Sequence, residues 1–508
     1  MQNSGSSNLD INLKYLKNNY NCHKTRAAQN SHIIFFAGII ASLNVLFSNN
    51  YIVSLIVVGF ELAVLTYYFA KKDITKYIGN YLIFLCLSFE FDILVGSDEF
   101  YGFKNFRILG INLGILALLP IAILAIFKKI KIKEIKEEFP HIYKFATVLI
   151  FMNVTGFIMG LFQILINDNN IQNMENMFST FIGISYNMIA MLLLMITAIA
   201  YILTWEKDKL DQLNSYLTAI LIGVVISMIV SLATGNFGWY GGVDTLLVTN
   251  VIRYIPFMLL LPFYKNCKSQ KTLIIIFAII GLVLSLMYNA TGKIIIIYLL
   301  VPIAVCVILW KRKKILPLML TLLILPIIVV LSIQAVDILA SNSVLFNVKL
   351  TQALSLLKFW DSNWLINMPS SPRTRIIEFI NIVYEYLQKP WMFLLGKGYM
   401  GTITDHIGML GTTFIPYSYS INEWNNGTFY GVHETFNILF LYNGLLGIVF
   451  YFYMLKFVLT NFTKSPWILI GGFWFLMVYG FSVTMSAFGI VALLLGYSEL
   501  DTYKRGCK

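Results

Sequence analysis

Long apolar runs separated by short polar connections fill most of the chain, and that rhythm predicts helices that cross a membrane. A spanning helix needs about 20 apolar residues at a rise of about 1.5 Å each. The candidate spans are 32–48, 51–70, 77–95, 108–127, 145–166, 179–204, 215–233, 245–264, 272–288, 294–310, 315–333, 433–455, 466–484 and 486–500. One long internal segment breaks the rhythm, from Asn342 to about Val432. The chain therefore divides into a tail (1–31), membrane helices (32–333), a large loop (334–432), further membrane helices (433–500) and a second tail (501–508). The expected fold is an all-α polytopic membrane protein with 12–14 spans and one large loop that carries amphipathic helices.

Charge sets the expected direction. Lys71, Lys72 and Lys76 follow the second run, and Lys128, Lys129, Lys131 and Lys133 the fourth. Lys207 and Lys209 follow the sixth, Lys265, Lys268 and Lys271 the eighth, and Lys311, Arg312, Lys313 and Lys314 the tenth. Every basic cluster thus falls after an even-numbered run, which marks one face as cytoplasmic by the positive-inside rule. Both tails join that face, and the large loop is expected outside. The loop carries six Lys/Arg against six Asp/Glu, so no basic excess opposes that placement.

Composition sharpens the class. The 508 residues are 58% hydrophobic and 12% charged, where a soluble chain has about 25% charged. The net charge of +12 is spread in short clusters between apolar runs, where it sets topology, so a nucleic-acid partner is excluded. Cys22, Cys86, Cys267, Cys306 and Cys507 have no metal-ligand spacing, and none lies in the external loop, so no disulfide framework is expected. The polar, Asn-rich first thirty residues lack the apolar core of a signal peptide.

Within the loop, residues 374–389 place Ile376, Ile380, Val383 and Leu387 at helical spacing, with Pro372 before them and Pro390 after. That predicts an amphipathic helix which lies on the membrane surface or caps the bundle. Arg373 and Arg375 open it, and Arg375 stands one turn from Glu378. Beyond Pro390 come Trp391 and a Leu395-Gly396-Lys397-Gly398 turn. Two glycines there permit close backbone approach to a ligand. Trp391 is one of four loop tryptophans (with Trp360, Trp364 and Trp424) that either stack on sugars or anchor at the bilayer interface.

His433-Glu434 opens the next apolar run, nine residues follow, and then Gly444-Leu445-Leu446-Gly447. This spacing, with Arg375, Pro390, the Gly396/Gly398 turn and Thr291-Gly292-Lys293, resembles the O-antigen ligase and polysaccharide polymerase superfamily. Glu434 departs from the neutral polar residue usual there. The resemblance covers roughly residues 370–450. It implies a GT-C-like glycosyltransferase of the bacterial inner membrane. The donor would be an undecaprenyl-pyrophosphate-linked glycan, and other polysaccharide-assembly proteins would be further partners. No cofactor or metal is implied.

The chemistry of the residues is compatible with what the resemblance implies. Ionisable groups near the ends of apolar runs are costly and mark function. Arg253, Lys293 and Arg375, with Arg373, are the expected grip on a pyrophosphate, since guanidinium groups bind phosphate oxygens bidentately. His433 is the expected base, with Glu434 as its orienting partner or substitute. Gly396, Gly398 and Trp391 form the expected substrate loop. A polymerase is favoured over a ligase that moves finished polymer, and the rival from another class is a flippase for lipid-linked sugars. Glu61, Glu90 and Asp92 receive no role.

Overall fold

The computed structural model describes residues 31–47, 50–89, 102–103, 106–108, 111–166, 181–182, 185–240, 243–264, 270–289, 291–322, 344–355, 360–361, 363–399, 401–410, 419, 421–429, 432–478 and 483–506. The first thirty residues of the expected tail, Glu90, Asp92, residues 334–343 of the expected loop and three of the cysteines (Cys22, Cys267, Cys507) lie outside them. Among the described residues, neither Cys86 nor Cys306 is in a disulfide.

Among the described residues, seven helices are long and apolar enough to cross a membrane. They are Tyr51–Ala70, Pro140–Leu165, Met188–Trp205, Lys207–Thr234, Lys271–Tyr288, Lys293–Lys311 and Thr435–Asn461. An eighth is reached if Leu113–Lys128 and Ile132–Glu138, bent by 98° at their junction, count as one span. This is the build of an α-helical polytopic membrane protein.

Several expected spans take another form. Helix Ile74–Leu87 stops at an extended Ser88, short of the expected 77–95. The expected 245–264 span is corrected by the structure: it is 3₁₀-helical over Asn250–Leu259 and Leu261–Phe263, with Pro256 inside the first piece. Proline removes a backbone donor and collides with the preceding turn, and Pro256 and Pro262 do so six residues apart. The segment survives because helices Leu213–Thr234, Lys271–Tyr288 and Gly292–Lys311 pack around it. At the other end, Val483–Gly506 is helical well beyond the expected 486–500. Its Asp501 accepts the His141 and Ile142 amides at 3.1 and 3.3 Å, which satisfies donors left open at the start of Pro140–Ile166.

Between the eleventh and twelfth expected spans, the chain forms helices Val344–Ser355, Ser370–Gln388 and Pro390–Leu395 and a small antiparallel pairing, Ile403↔Phe429 and Thr404↔Thr428. This cap has its own core, built on Ile377, Ile382, Tyr386, Met392, Ile403 and Phe429, and it is shared with Phe440 and Leu441 of Thr435–Asn461. The amphipathic helix is present, with its apolar stripe turned largely outward. Ile380 and Leu387 of the apolar stripe are 37% and 72% exposed. The buried face instead carries Thr374, Glu378 and Asn381 beside Ile377, Ile382 and Tyr386. Polar groups facing inward and apolar groups outward is the arrangement that a lipid surrounding favours.

Helix Thr435–Asn461 is broken at Gly444, whose φ of 56° and ψ of −140° are not helical. A break releases carbonyls that need new donors. The glycine turn supplies them: Lys397 N donates to Leu441 O at 2.7 Å and Gly398 N to Tyr442 O at 3.1 Å. The fit leaves no room for side chains. A Cβ on Gly444 would lie 2.5 Å from Phe393 O, and one on Gly398 2.1 Å from Gly160 N.

Candidate active site

His433 ends the loop, and Glu434 follows with φ of 68°. That left-handed backbone is unfavourable for a residue with a side chain, by about 1–3 kcal/mol. It turns two neighbouring side chains in different directions, and each meets a different partner.

The His433 imidazole meets Glu378. His433 Nδ1 lies 2.6 Å from Glu378 Oε1, and the His433 amide donates to Oε2 at 3.0 Å. Glu378 is fully buried. The Tyr419 hydroxyl donates to its Oε1 at 2.6 Å, and the Asn437 amide to its Oε2 at 3.2 Å. Four donors thus surround one carboxylate, which is what makes a buried charge tolerable. Burial raises the Tyr419 phenol, and the neighbouring Glu378 carboxylate raises it further, so the phenol stays protonated as a donor. Asn437 also donates to Arg375 O at 2.8 Å, which ties the base of the Thr435–Asn461 helix to the cap helix.

The Glu434 carboxylate meets two cations. Arg375 Nε donates to Oε1 at 2.7 Å, and Lys293 Nζ stands 3.0 Å from Oε2. Burial pushes the Glu434 carboxyl up, but the Lys293 ammonium and the Arg375 guanidinium outweigh it and hold the group below the ordinary carboxylate range. Arg375 Nη1 is fixed on Ser371, donating to its hydroxyl at 2.6 Å and also to its carbonyl. Lys293 Nζ also donates to Met477 O. Arg253, half-buried on the 3₁₀ segment, is close enough for its charge to act on Lys293. Lys349 feels Arg375 in the same way: burial first, and then that guanidinium, lower its ammonium.

Five sequence-predicted residues therefore gather here: His433, Glu434, Arg375, Lys293 and, electrostatically, Arg253. Arg373 does not join them. It stands two residues, or about 200° of helix, from Arg375, and its Nη1 donates to Ile366 O at 3.1 Å. Gly396 and Gly398 are also reassigned, because their left-handed backbones (φ 75° and 73°) press against protein backbone. Trp391 is 46% exposed on the short helix before them. Glu61, left without a role by the sequence, is buried in its span, and among the described residues neither carboxylate oxygen receives a hydrogen bond.

Sequence reasoning missed Glu378 as the partner of His433, because helical spacing paired it with Arg375. It also missed Tyr419, Asn437 and Lys349. A signal for Glu378 was present. Thr374, Glu378, Asn381 and Glu385 recur at helical spacing opposite the apolar stripe, and a polar stripe on a membrane-facing helix points inward.

Chemically, the site offers an imidazole oriented through one nitrogen beside a cation cluster partly neutralised by one carboxylate. Among the described residues, no three His, Cys, Asp or Glu side chains gather to hold a metal ion. No protein-family model, no curated protein and no solved structure matches the chain.

Proposed function

We propose that the protein is a membrane glycosyltransferase which polymerises repeat units, moving a glycan from an undecaprenyl-pyrophosphate donor to a lipid-linked acceptor at the outer face of the bacterial cytoplasmic membrane. The observation that carries this reading is the adjacency of the Glu378–His433 pair to the Arg375–Glu434–Lys293 cluster. A transfer from a glycosyl pyrophosphate needs these two elements side by side.

In the proposed reaction, an acceptor hydroxyl attacks the anomeric carbon. The new C–O bond forms as the bond to the pyrophosphate oxygen breaks, and the electron pair leaves with the diphosphate. His433 Nε2 takes the hydroxyl proton. Glu378 holds Nδ1 as the N–H tautomer and stabilises the imidazolium that forms, a role established for buried carboxylates behind catalytic histidines. Arg375, Lys293 and Arg253 meet the charge that develops on the leaving group, and preorganised cations in a water-poor site act strongly there. Three cations against one Glu434 carboxylate leave room for an anion. Among the described residues, Arg375 Nη2 makes no hydrogen bond that would have to be broken first. Glu434 acts as the positioning group for Arg375 and Lys293, while the imidazole is the base.

The test incubates purified protein with lipid-linked repeat units and follows polymer length on a gel. Wild type yields a ladder, and His433→Ala, made at normal levels, yields none. Transfer to a second acceptor with no ladder would move the reading to a ligase. A full ladder from His433→Ala would remove the imidazole from the mechanism.

A further inference from the structure

The inner face of the Ser370–Gln388 helix continues past the active site. Glu385 lies seven residues beyond Glu378, within about 20° of the same face and about 10 Å further along the axis. There it borders a cavity of about 250 Å³ whose polar lining includes Gln163, Glu385, Gln388, Lys389, Lys397 and His406. We propose that this cavity is a sugar-binding subsite, which holds a glycan residue away from the one that reacts. The proposal rests on the glycosyltransferase reading above for its substrate, and on the cavity's own chemistry for its ligand class.

Part of the lining is already fixed, and part is uncommitted. Lys397 Nζ pairs with Glu385 Oε2 and donates to Thr402 O at 2.6 Å. The Thr404 amide donates to Glu385 Oε1 at 2.6 Å, and His406 Nε2 stands 3.5 Å from the same oxygen. The His406 ring packs on Tyr384 with centroids 4.6 Å apart. These contacts preorganise one wall. By contrast, the side chains of Gln163, Gln388 and Lys389 make no hydrogen bond among the described residues. Two amides and an ammonium therefore face the cavity with donors and acceptors to give.

That mixture suits hydroxyl groups, which both donate and accept. It suits a phosphate less well: Glu385 neutralises Lys397 and would repel a dianion, which leaves the Lys389 ammonium alone to offset it. The volume falls just below the range of about 300–1,000 Å³ for drug-sized ligands, which fits a single pyranose ring. The distance from Glu378 matches the span of a disaccharide, so one glycan can place a hydroxyl at His433 and a later ring here.

The probe is the lipid-free repeat-unit oligosaccharide released by mild acid from the polyprenyl-linked pool. Its binding to detergent-solubilised protein is measured by saturation-transfer NMR, together with the acceptor KM and kcat of polymerisation. The perturbation is the double variant Gln388→Ala/Lys389→Ala. Both residues are surface-exposed, so folding, checked by thermal unfolding, is retained. Binding is expected in wild type and equally in His433→Ala. In the double variant it is expected to weaken about tenfold, equal to about 1.4 kcal/mol, with KM raised in proportion and kcat within about twofold. Undiminished binding and KM in the double variant would overturn the subsite, even if the ladder forms normally. Displacement of the oligosaccharide by millimolar inorganic phosphate would overturn the sugar assignment. Binding lost only in the double variant, in a protein that forms no ladder, would keep the subsite and discard the polymerase.

Discussion

Replacing Glu378 by Gln tests the centre of the mechanism, because the structure dictates how the amide must sit. Oε1 receives the His433 imidazole and the Tyr419 hydroxyl, each at 2.6 Å, while Oε2 receives the His433 amide at 3.0 Å and the Asn437 amide at 3.2 Å. A backbone N–H and a carboxamide N–H cannot become acceptors, so the Gln oxygen must take the Oε2 place. Its NH₂ then faces the imidazole and the phenol. Both can accept, the phenol by rotating its hydrogen and the imidazole by moving its proton to Nε2. That cost is modest, at most about 1–3 kcal/mol for an imperfectly paired buried group. The chemical consequence is large, because Nε2 now carries the hydrogen and cannot take another. Loss of a correctly oriented general base lowers turnover by about 10²–10⁴-fold. The assay is the initial rate of ladder formation with purified lipid-linked repeat units, read beside thermal unfolding in the same detergent. The acceptor KM should stay within about threefold, since the Arg375–Glu434–Lys293 cluster is untouched. A kcat within about threefold of wild type, in protein of normal stability, would refute the claim that an imidazole held by Glu378 is the base.

Two further outcomes follow from the same geometry. Gly444→Ala puts a Cβ 2.5 Å from Phe393 O at a φ of 56°; the backbone strain alone costs about 1–2 kcal/mol and the clash adds to it, so the thermal unfolding temperature in detergent should fall by several degrees, and an unchanged midpoint would contradict the broken helix. The Glu434 carboxyl is held below its ordinary value of 4.5, because Lys293 and Arg375 outweigh the effect of burial. A depressed acid stabilises the fold fully above its unfolded value and ceases to as pH falls through the folded one. Wild type should therefore exceed Glu434→Gln in unfolding temperature at pH 7, and the gap should close in the acid range below 4.5; a gap independent of pH would mean that the pairing is not ionic.

What the sequence determined by itself was the class of the protein and much of its helical register. The expected span 51–70 coincides with helix Tyr51–Ala70, and 272–288 falls one residue short of Lys271–Tyr288. Those runs are read correctly because uninterrupted apolar length is a local property, and a bilayer rewards it without reference to the rest of the fold. His433, Glu434, Arg375 and Lys293 were also legible as candidates, since a charge beside an apolar run carries its cost wherever it packs. The pairings among them belong to the tertiary structure alone. Helical spacing put Arg375 with Glu378; the fold gives Arg375 to Glu434 and Glu378 to His433, because the positive φ at Glu434 swings its carboxylate toward Lys293. The glycine turn followed the same rule. Gly396 and Gly398 looked free for a ligand until the break at Gly444 set backbone against Gly396 and gave open carbonyls to the Lys397 and Gly398 amides. The 3₁₀ segment around Pro256 is stable only because three helices enclose it. Periodicity carries information over a few turns of one helix, whereas partner choice is settled by contacts between segments far apart in the chain.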